Sequence, residues 1–288
     1  MTLIIYILLF SSMFAVSTSP IIARYLHHLD PILISFWRMA IASIIINIYC
    51  LLNNSIQPIT FKDRNKTMIA GILLGIHFAL FYSAISIMPN NIANATVFGT
   101  LAPLFALFIE IYFGRKINSK LIIGLFIVLS GSIFIFLNDF SFDSNLINGN
   151  ILAILCSICF AFVFIISDKV RKKNSAITFS RYLFSYAAIT LFIVSIIFNK
   201  SLLLISASDI KFLLFLGIVP TIIGHSVFYY LVKYFRPTIV ASIPLGEPFI
   251  ASFIAWLLFP GQILNEFLIF GGVTTLIGLF IIIQSKEK

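Results

Sequence analysis

Ten apolar runs follow one another along the chain, and only short polar linkers separate them. Each run has about 20 residues, the length that a helix needs to cross the hydrocarbon core of a bilayer. The pattern therefore predicts ten transmembrane helices, numbered here as spans 1 to 10. We expect the first to be retained, because it lacks the basic leading segment of a signal peptide. The predicted spans are 3–22, 34–52, 67–87, 92–113, 119–137, 149–167, 177–198, 212–232, 238–259 and 267–284.

Span 9 interrupts the apolar pattern near its middle, where Pro244, Gly246, Glu247 and Pro248 occur together. A carboxylate at that depth costs roughly 2.5–3.5 kcal/mol on insertion scales. The prolines and the glycine also interrupt the hydrogen-bond ladder of the helix. Since lipid tolerates neither feature, the segment should face protein or a water-filled cavity. Glu247 and Pro248 are therefore predicted to lie at the working centre, with a purely structural carboxyl as the alternative.

Two histidines and two tyrosines lie inside spans 3 and 8. His77 and His225 occupy corresponding helices, and Tyr82 and Tyr229 follow them at helical spacing. A histidine within a span can bind a substrate or carry a coupling proton, and a tyrosine ring with its polar tip suits a cavity wall. All four are candidate substrate-binding or coupling residues. The alternative is that the histidines bond to neighbouring helices and that the rings only pack.

Arg38 and Arg181 lie a few residues inside spans 2 and 7, and Trp37 precedes the first of them. A gating or anion-attracting role is one interpretation of the two arginines. The other is that their side chains snorkel to the membrane interface. Trp37 equally fits an aromatic anchor at that interface. The three residues are candidate gating or interface residues.

The composition indicates a polytopic membrane protein whose partner is the lipid bilayer. Hydrophobic residues make up 60% of the 288 positions and charged residues only 10%, against about 25% in soluble proteins. The net charge of +9 does not indicate nucleic-acid binding, because the basic residues lie in short loops between apolar runs. No phosphate-binding glycine loop, zinc-ligand spacing or serine–histidine–aspartate arrangement occurs. We therefore expect no catalytic residue, metal or cofactor.

The basic residues are distributed unevenly between alternate loops. The loops after spans 2, 4, 6 and 8, with the C-terminus, hold fourteen lysines and arginines, and the other loops hold three. Cytoplasmic loops carry the excess of positive charge in such proteins. This asymmetry predicts a protein of the cytoplasmic (inner) membrane with both termini in the cytoplasm.

The two halves of the chain resemble each other at a nearly constant spacing. The matching positions are Arg38 with Arg181, Pro103 with Pro248, Gly124 with Gly271, and Gly131 with Gly278. Residues 1–145 and 146–288 are predicted to be two five-helix repeats. Because five is odd, the repeats cross the membrane in opposite orientations. The predicted fold is an all-α polytopic membrane protein of ten transmembrane helices, arranged as two inverted five-helix repeats.

These features resemble the drug/metabolite transporter superfamily, in its ten-helix EamA-type branch. The resemblance covers the whole chain and rests on the repeats, on the arginine in the second helix of each, on Glu247-Pro248, and on the glycine pairs of spans 5 and 10. It implies a secondary transporter for a small metabolite, such as an amino acid, a derivative or a nucleotide-like compound. Substrate would bind between spans 4 and 9, and alternating access would move it across the membrane. The acid that often follows a glycine after helices 4 and 9 is absent at Gly114-Arg115 and Gly261-Gln262.

Two other classes of protein remain open at this point. An intramembrane enzyme acting on a lipid or isoprenoid would require Glu247, Glu110 and a histidine to converge at one membrane face. A non-transporting assembly factor would have a solid interior. Either a monomer or a homodimer is compatible with the sequence.

Overall fold

The computed structural model describes residues 2–88, 92–137, 144–261 and 263–285, which are helical with short connections and contain no strand. The α-helices are Thr2–Ser17, Ser19–Tyr25, Pro31–Leu52, Phe61–Ile87, Ile92–Gly99, Ala102–Tyr112, Ser119–Leu137, Ser144–Arg171, Ala176–Ile197, Ala207–Leu216, Ser226–Leu231, Pro237–Ser242, Glu247–Leu258 and Glu266–Gln284. A π-helical segment, Gly217–His225, and a 3₁₀ turn, Ile243–Gly246, complete them.

Ten of these helices or helix pairs are long and apolar enough to cross a membrane, which confirms the predicted fold class. They are Leu3–Tyr25, Pro31–Leu52, Phe61–Ile87, Asn94–Tyr112, Ser119–Leu137, Leu146–Arg171, Ala176–Ile197, Ala207–Leu231, Pro237–Leu258 and Glu266–Gln284. The largest difference from prediction is in span 3, which begins at Phe61 because the Thr60 hydroxyl caps the helix by accepting from the amide of Asp63 at 3.3 Å. Apolar length alone detects only the lipid-buried part of such a helix.

Polar contacts between loops define the two ends of the helix bundle. Asn118 donates to the carbonyl of Ser285 at 3.4 Å, and Asn174 donates to Asp63 at 3.1 Å. This end, with the loops after spans 2, 4, 6 and 8, is termed the terminal face. At the other end, termed the opposite face, Lys200 pairs with Asp30 at 2.8 Å.

The packing of spans 5 and 10 demonstrates that the two repeats are inverted. A Cβ atom added to Gly131 would lie 2.5 Å from the carbonyl oxygen of Gly271, and one on Gly278 would lie 2.8 Å from that of Gly124. The two helices therefore cross antiparallel, and their backbones are in direct contact at both points. In sequence, Gly124 matches Gly271 and Gly131 matches Gly278. If the two repeats are exchanged, the contact between Gly131 and Gly271 therefore becomes the contact between Gly278 and Gly124. The chain thus consists of two five-helix repeats in opposite orientation.

Four spans lose regular α-helical geometry near a proline. Span 9 passes through the 3₁₀ turn at Pro244, and span 4 is interrupted at Thr100 and Leu101, just before Pro103. Span 8 has its π-helical segment around Pro220, and the helix of span 1 is interrupted at Thr18, before Pro20. Proline removes a backbone donor and clashes with the preceding turn, so each break has an identifiable cause. The sequence predicted the break in span 9, but not those in spans 1, 4 and 8.

Candidate functional site

A small cavity lies where the broken parts of spans 1, 4, 8 and 9 approach one another. Its volume is about 20 Å³, room for about one water molecule. Spans 2, 3 and 6 complete its wall with polar and aromatic side chains. The polar side chains that line it are Ser19, Arg38, His77, Thr100, His225 and Glu247, and the rings are Phe78, Phe81, Phe160 and Phe228.

Arg38 is held in this central cavity by hydroxyl groups from three other spans. Its Nη1 donates to Ser19 Oγ at 2.7 Å and to Tyr82 Oη at 2.9 Å, and its Nε donates to Thr221 Oγ1 at 2.8 Å. The guanidinium also stacks 4.1 Å from the ring centroid of Phe78. Only 1% of Arg38 is exposed, so the charge does not reach a membrane interface as the snorkelling alternative requires. Nη2 has no hydrogen-bond partner among the described residues.

The π-helical segment of span 8 positions the hydroxyl that faces Arg38. Thr221 follows Pro220, and its hydroxyl donates to the carbonyl of Leu216, five residues earlier, at 2.7 Å. The oxygen therefore turns a lone pair towards the guanidinium. π-Helical segments are rare and frequently occur at functional sites.

Glu247 brings a carboxyl group to the same cavity. It is the first residue of the helix Glu247–Leu258, directly after the 3₁₀ turn, and 6% of it is exposed. Within the part of the chain that the structure describes, its carboxylate forms no hydrogen bond and no ion pair, not even with Arg38. Buried polar groups are ordinarily hydrogen-bonded, so the carboxyl group of Glu247 and Nη2 of Arg38 both remain available to a ligand.

His77 and His225 both contact Phe160 in the aromatic part of the wall. His77 Nδ1 donates to the carbonyl of Cys156 at 3.0 Å, and the ring stacks on Phe160 at 4.4 Å between centroids. The His225 ring lies 5.3 Å from that of Phe160, and its Nδ1 has no partner in the described structure. The two candidate histidines therefore border one cavity although they occupy different positions in their repeats.

The remaining predicted residues lie at various distances from this cavity. Tyr82 contacts it through Arg38, and Pro248 adjoins Glu247. Tyr229 is fully buried against Phe179 and does not line the cavity.

Arg181 and Trp37 lie apart from the cavity. Arg181 stacks over Tyr182 at 4.6 Å in span 7. Trp37 donates its indole N–H to the carbonyl of Leu202 at 2.8 Å, which joins span 2 to the linker after span 7 at the opposite face.

A second, larger cavity opens at the opposite face and is termed the vestibule. Its volume is about 510 Å³, and Arg24, Tyr25, His27, Ser86 and Phe259 are among its lining residues. Tyr82 also lines it, and the same tyrosine hydroxyl bonds to Arg38. A single hydrogen-bonded layer thus lies between the vestibule and the central cavity.

At the terminal face, an ionic network centred on Glu110 ties the repeats together. Its carboxylate accepts from Arg115 Nη1 at 2.7 Å, from Arg236 Nε at 3.1 Å and from the hydroxyl of Thr238. Arg115 pairs in addition with Asp168 at the end of span 6. Glu110 belongs to the first repeat and is 1% exposed. Three other members of the network, Asp168, Arg236 and Thr238, belong to the second repeat. Burial makes the loss of one partner costly, about 3–5 kcal/mol.

Comparison with known proteins identifies the class of membrane protein. The profile of the EamA-like transporter family matches residues 3–137 and again residues 147–284. The chain belongs to the EamA-like transporter family. An Archaeoglobus fulgidus protein described as an uncharacterized transporter is 23% identical to it over 256 residues, covering 88% of this chain and 86% of the relative. A crystal structure matches the fold with a TM-score of 0.77 at 16% identity, over 97% of this chain and 96% of the other.

Several residues of this EamA protein's cavity were not predicted from sequence. Ser19 precedes a proline and Thr221 follows one, each inside an apolar span. The neighbouring proline could have marked both as candidate site residues. Phe78 and Phe160 carried no such signal among the 32 phenylalanines of the chain. The described residues contain no group of three or more side chains able to hold a metal.

Proposed function

We propose that this EamA protein is a secondary transporter that carries a small metabolite across the cytoplasmic membrane by alternating access. The observation that carries the proposal is that Arg38 and Glu247 line one cavity between the inverted repeats without forming an ion pair with each other. A buried guanidinium and a buried carboxyl group that do not pair with each other favour a ligand that satisfies both. Broken helices around such a cavity are typical of secondary transporters.

The polar groups of this cavity best match an amino acid or a close derivative. In the described conformation the cavity has room for only about one water, so such a substrate would bind after the repeats move and widen it. Nη2 of Arg38 would receive the carboxylate, and Glu247 would receive the ammonium group. The aromatic rings and His225 would surround the side chain. A nucleotide-like substrate is disfavoured, because several phosphate charges would face one arginine and a carboxylate.

The described conformation favours access from the opposite face. The vestibule reaches down to Tyr82, whereas the Glu110 network holds the terminal face together. With the termini in the cytoplasm, this conformation would receive substrate from outside the cell. Transport would require the Glu110 network to open while the vestibule closes, which is the rocking motion expected of inverted repeats.

The alternative of an intramembrane enzyme finds less support. It requires Glu110, Glu247 and a histidine to converge, but Glu110 is engaged at the terminal face with Arg115 and Arg236. Glu247 lies instead in the central cavity with two histidines. Binding without covalent chemistry is the simpler role for that arrangement.

A thermal-shift screen of the purified protein tests the proposal. Amino acids would be compared with the matching amines, which lack the carboxylate, and with N-acetyl derivatives, which lack the ammonium charge. A ligand present at about 100 times its Kd stabilises the native state by about 2.7 kcal/mol. We expect the intact zwitterion to raise the melting temperature most, and Arg38→Gln and Glu247→Gln each to reduce that rise.

Counterflow into proteoliposomes then tests transport of any compound that binds. Labelled compound outside should exchange with unlabelled compound trapped inside, at a rate that rises to saturation. Binding with no counterflow would contradict the transporter assignment. Equal stabilisation by the amine and by the zwitterion would contradict the role given to Arg38.

A further inference from the structure

We propose that the vestibule is a separate access site for compounds that carry a carboxylate, with Arg24 as its receptor. This inference rests on the proposed function, because it gives the transporter an outer site ahead of the central cavity. Arg24 lies in the vestibule wall at the end of the helix Ser19–Tyr25. Its role would be to attract an anionic group and to bind it at the outer end of the substrate path, ahead of the central cavity.

The guanidinium of Arg24 is positioned but has no acidic partner. Its central carbon lies 4.3 Å from the ring centroid of Phe259, so the planar group is stacked on an aromatic face. Within the described residues the guanidinium forms no hydrogen bond and no ion pair. Stacking leaves the N–H groups at its edge free to bind a carboxylate in a bidentate manner.

A second aromatic contact holds the ring on which Arg24 is stacked. The rings of Tyr25 and Phe259 lie 5.1 Å apart, and Tyr25 also stacks on Phe212 at 5.1 Å. These contacts join the ends of spans 1 and 9 to the start of span 8. The receptor is thus built from both repeats and would move with them.

The described acids of the opposite face do not compete for Arg24. Asp30 pairs with Lys200 at 2.8 Å and also caps the amide of Ile32 at 2.9 Å. Asp209 pairs with His28 at 3.1 Å. Glu266 begins span 10 and does not line the vestibule. The vestibule therefore presents a net positive wall.

The floor of the vestibule connects Arg24 with the central cavity. Tyr82 lines the vestibule, and its hydroxyl accepts from Arg38 at 2.9 Å and bonds to Ser19 at 2.9 Å. Two arginines thus lie on either side of one tyrosine along the path. A carboxylate leaving Arg24 would meet Arg38 once the Tyr82 layer opens.

The test uses charged thiol reagents and needs no knowledge of the substrate. Ser86, an exposed residue of the vestibule, is replaced by cysteine, and the unaltered protein corrects for reaction at Cys50, Cys156 and Cys159. Sulfonatoethyl methanethiosulfonate is the anionic probe, and its trimethylammonium analogue is the cationic probe. Each is added from outside, and each rate is divided by the reagent's rate with free mercaptoethanol.

We expect the corrected rate of the anionic probe to exceed that of the cationic probe by about tenfold. Arg24→Gln should remove most of this preference, and Arg24→Lys should keep it. Lys211→Gln is the matched control, because Lys211 also lies over a ring at this face, 4.9 Å from that of Phe212, but does not line the vestibule. It should leave the preference unchanged.

The proposal is overturned if Arg24→Gln keeps the anionic preference, or if the cysteine at position 86 does not react from outside. The measurement does not depend on transport. If the protein with Arg24 intact shows no anionic preference while counterflow is intact, the access site alone is refuted. A retained preference without any binding in the thermal-shift screen would sink the proposed function alone.

Discussion

Arg38 and Glu247 lie in the wall of one cavity, yet the guanidinium and the carboxyl group form no ion pair with each other. The arginine is fixed by Ser19, Tyr82 and Thr221, so it cannot turn to the carboxylate without losing hydrogen bonds. The backbone of Glu247 is placed at the start of a helix directly after the 3₁₀ turn. A ligand that reaches both groups must therefore carry an acidic and a basic group at a matching distance.

Glu247→Gln should weaken ligand binding while preserving the fold, since glutamine keeps the shape and hydrogen-bonding capacity of the side chain. Losing a hydrogen bond to a charged group costs about 1.5–3 kcal/mol, so the affinity for an amine-bearing ligand should fall by about tenfold or more. The measurement is the ligand-induced thermal shift, supported by counterflow in proteoliposomes.

The same variant separates ligand binding from proton coupling. If the acid carries a coupling proton instead, counterflow at equal concentrations should survive while gradient-driven accumulation and its pH dependence are lost. Unchanged accumulation together with unchanged affinity would exclude both roles for Glu247. A variant that fails to fold would favour the structural role beside Pro248.

Arg38→Lys should lower both the stability and the affinity for carboxylates, although the charge is kept. Lysine cannot donate at once to Ser19, Tyr82 and Thr221 in the planar geometry of a guanidinium. Each buried hydroxyl left unsatisfied costs about 1–3 kcal/mol. A lower melting temperature without ligand, and a smaller shift with ligand, are the expected results. A lysine variant equal to the wild type in both would show that only the charge matters.

Glu110→Gln should loosen the terminal face and expose the central cavity to it. The carboxylate holds Arg115, Arg236 and Thr238, and glutamine cannot accept from all three with a negative charge. A cysteine at Ala241, which lines the cavity, should then react faster with a thiol reagent added at the terminal face.

Asp209→Asn is the matched control for this experiment. Asp209 is also a buried acid that joins the two repeats, but it pairs with His28 at the opposite face. Its loss should not raise the reactivity at position 241 from the terminal face. Equal acceleration in both variants would mean general destabilisation and would contradict a specific role for Glu110.

Labelling from the two sides of the membrane should follow the charge asymmetry. Cysteines at Lys62 and Ser201, both exposed, lie at the terminal and the opposite face. An impermeant thiol reagent should modify the first only from the cytoplasm and the second only from outside. Modification of both from one side would refute the predicted orientation of the termini.

Gly131→Ala should separate spans 5 and 10, because the new Cβ atom would lie 2.5 Å from the carbonyl oxygen of Gly271. Overpacking of this kind costs about 1–3 kcal/mol, so the melting temperature should fall. The adjacent Ser130→Ala adds no atom and serves as the control. A melting temperature that stays equal in the two variants would show that the glycine contact is not required.

The ten spans and the break in span 9 could be predicted because single-residue properties determine them. Apolar length marks a crossing helix, and proline beside a buried carboxylate marks a break, whatever the neighbouring helices are. Gly124, Gly131, Gly271 and Gly278 also showed the repeat before their contacts were known.

The surroundings of Arg38 could not be predicted in this way. A position near the start of span 2 is equally compatible with snorkelling and with burial, and hydroxyls from spans 1, 3 and 8 decide between them. Similarly, the bond of Glu110 to Arg236 depends on the approach of spans 4 and 9. Contacts between distant segments carry no local sequence signal.

The small size of the central cavity also bears on proton leakage through the protein when it is not transporting substrate. Protons cross a bilayer rapidly wherever waters form an unbroken file. Among the described residues, a cavity with room for about one water lies between the Tyr82 layer and the Glu110 network, too short for a file that spans the membrane. We therefore expect this conformation of the protein not to conduct protons.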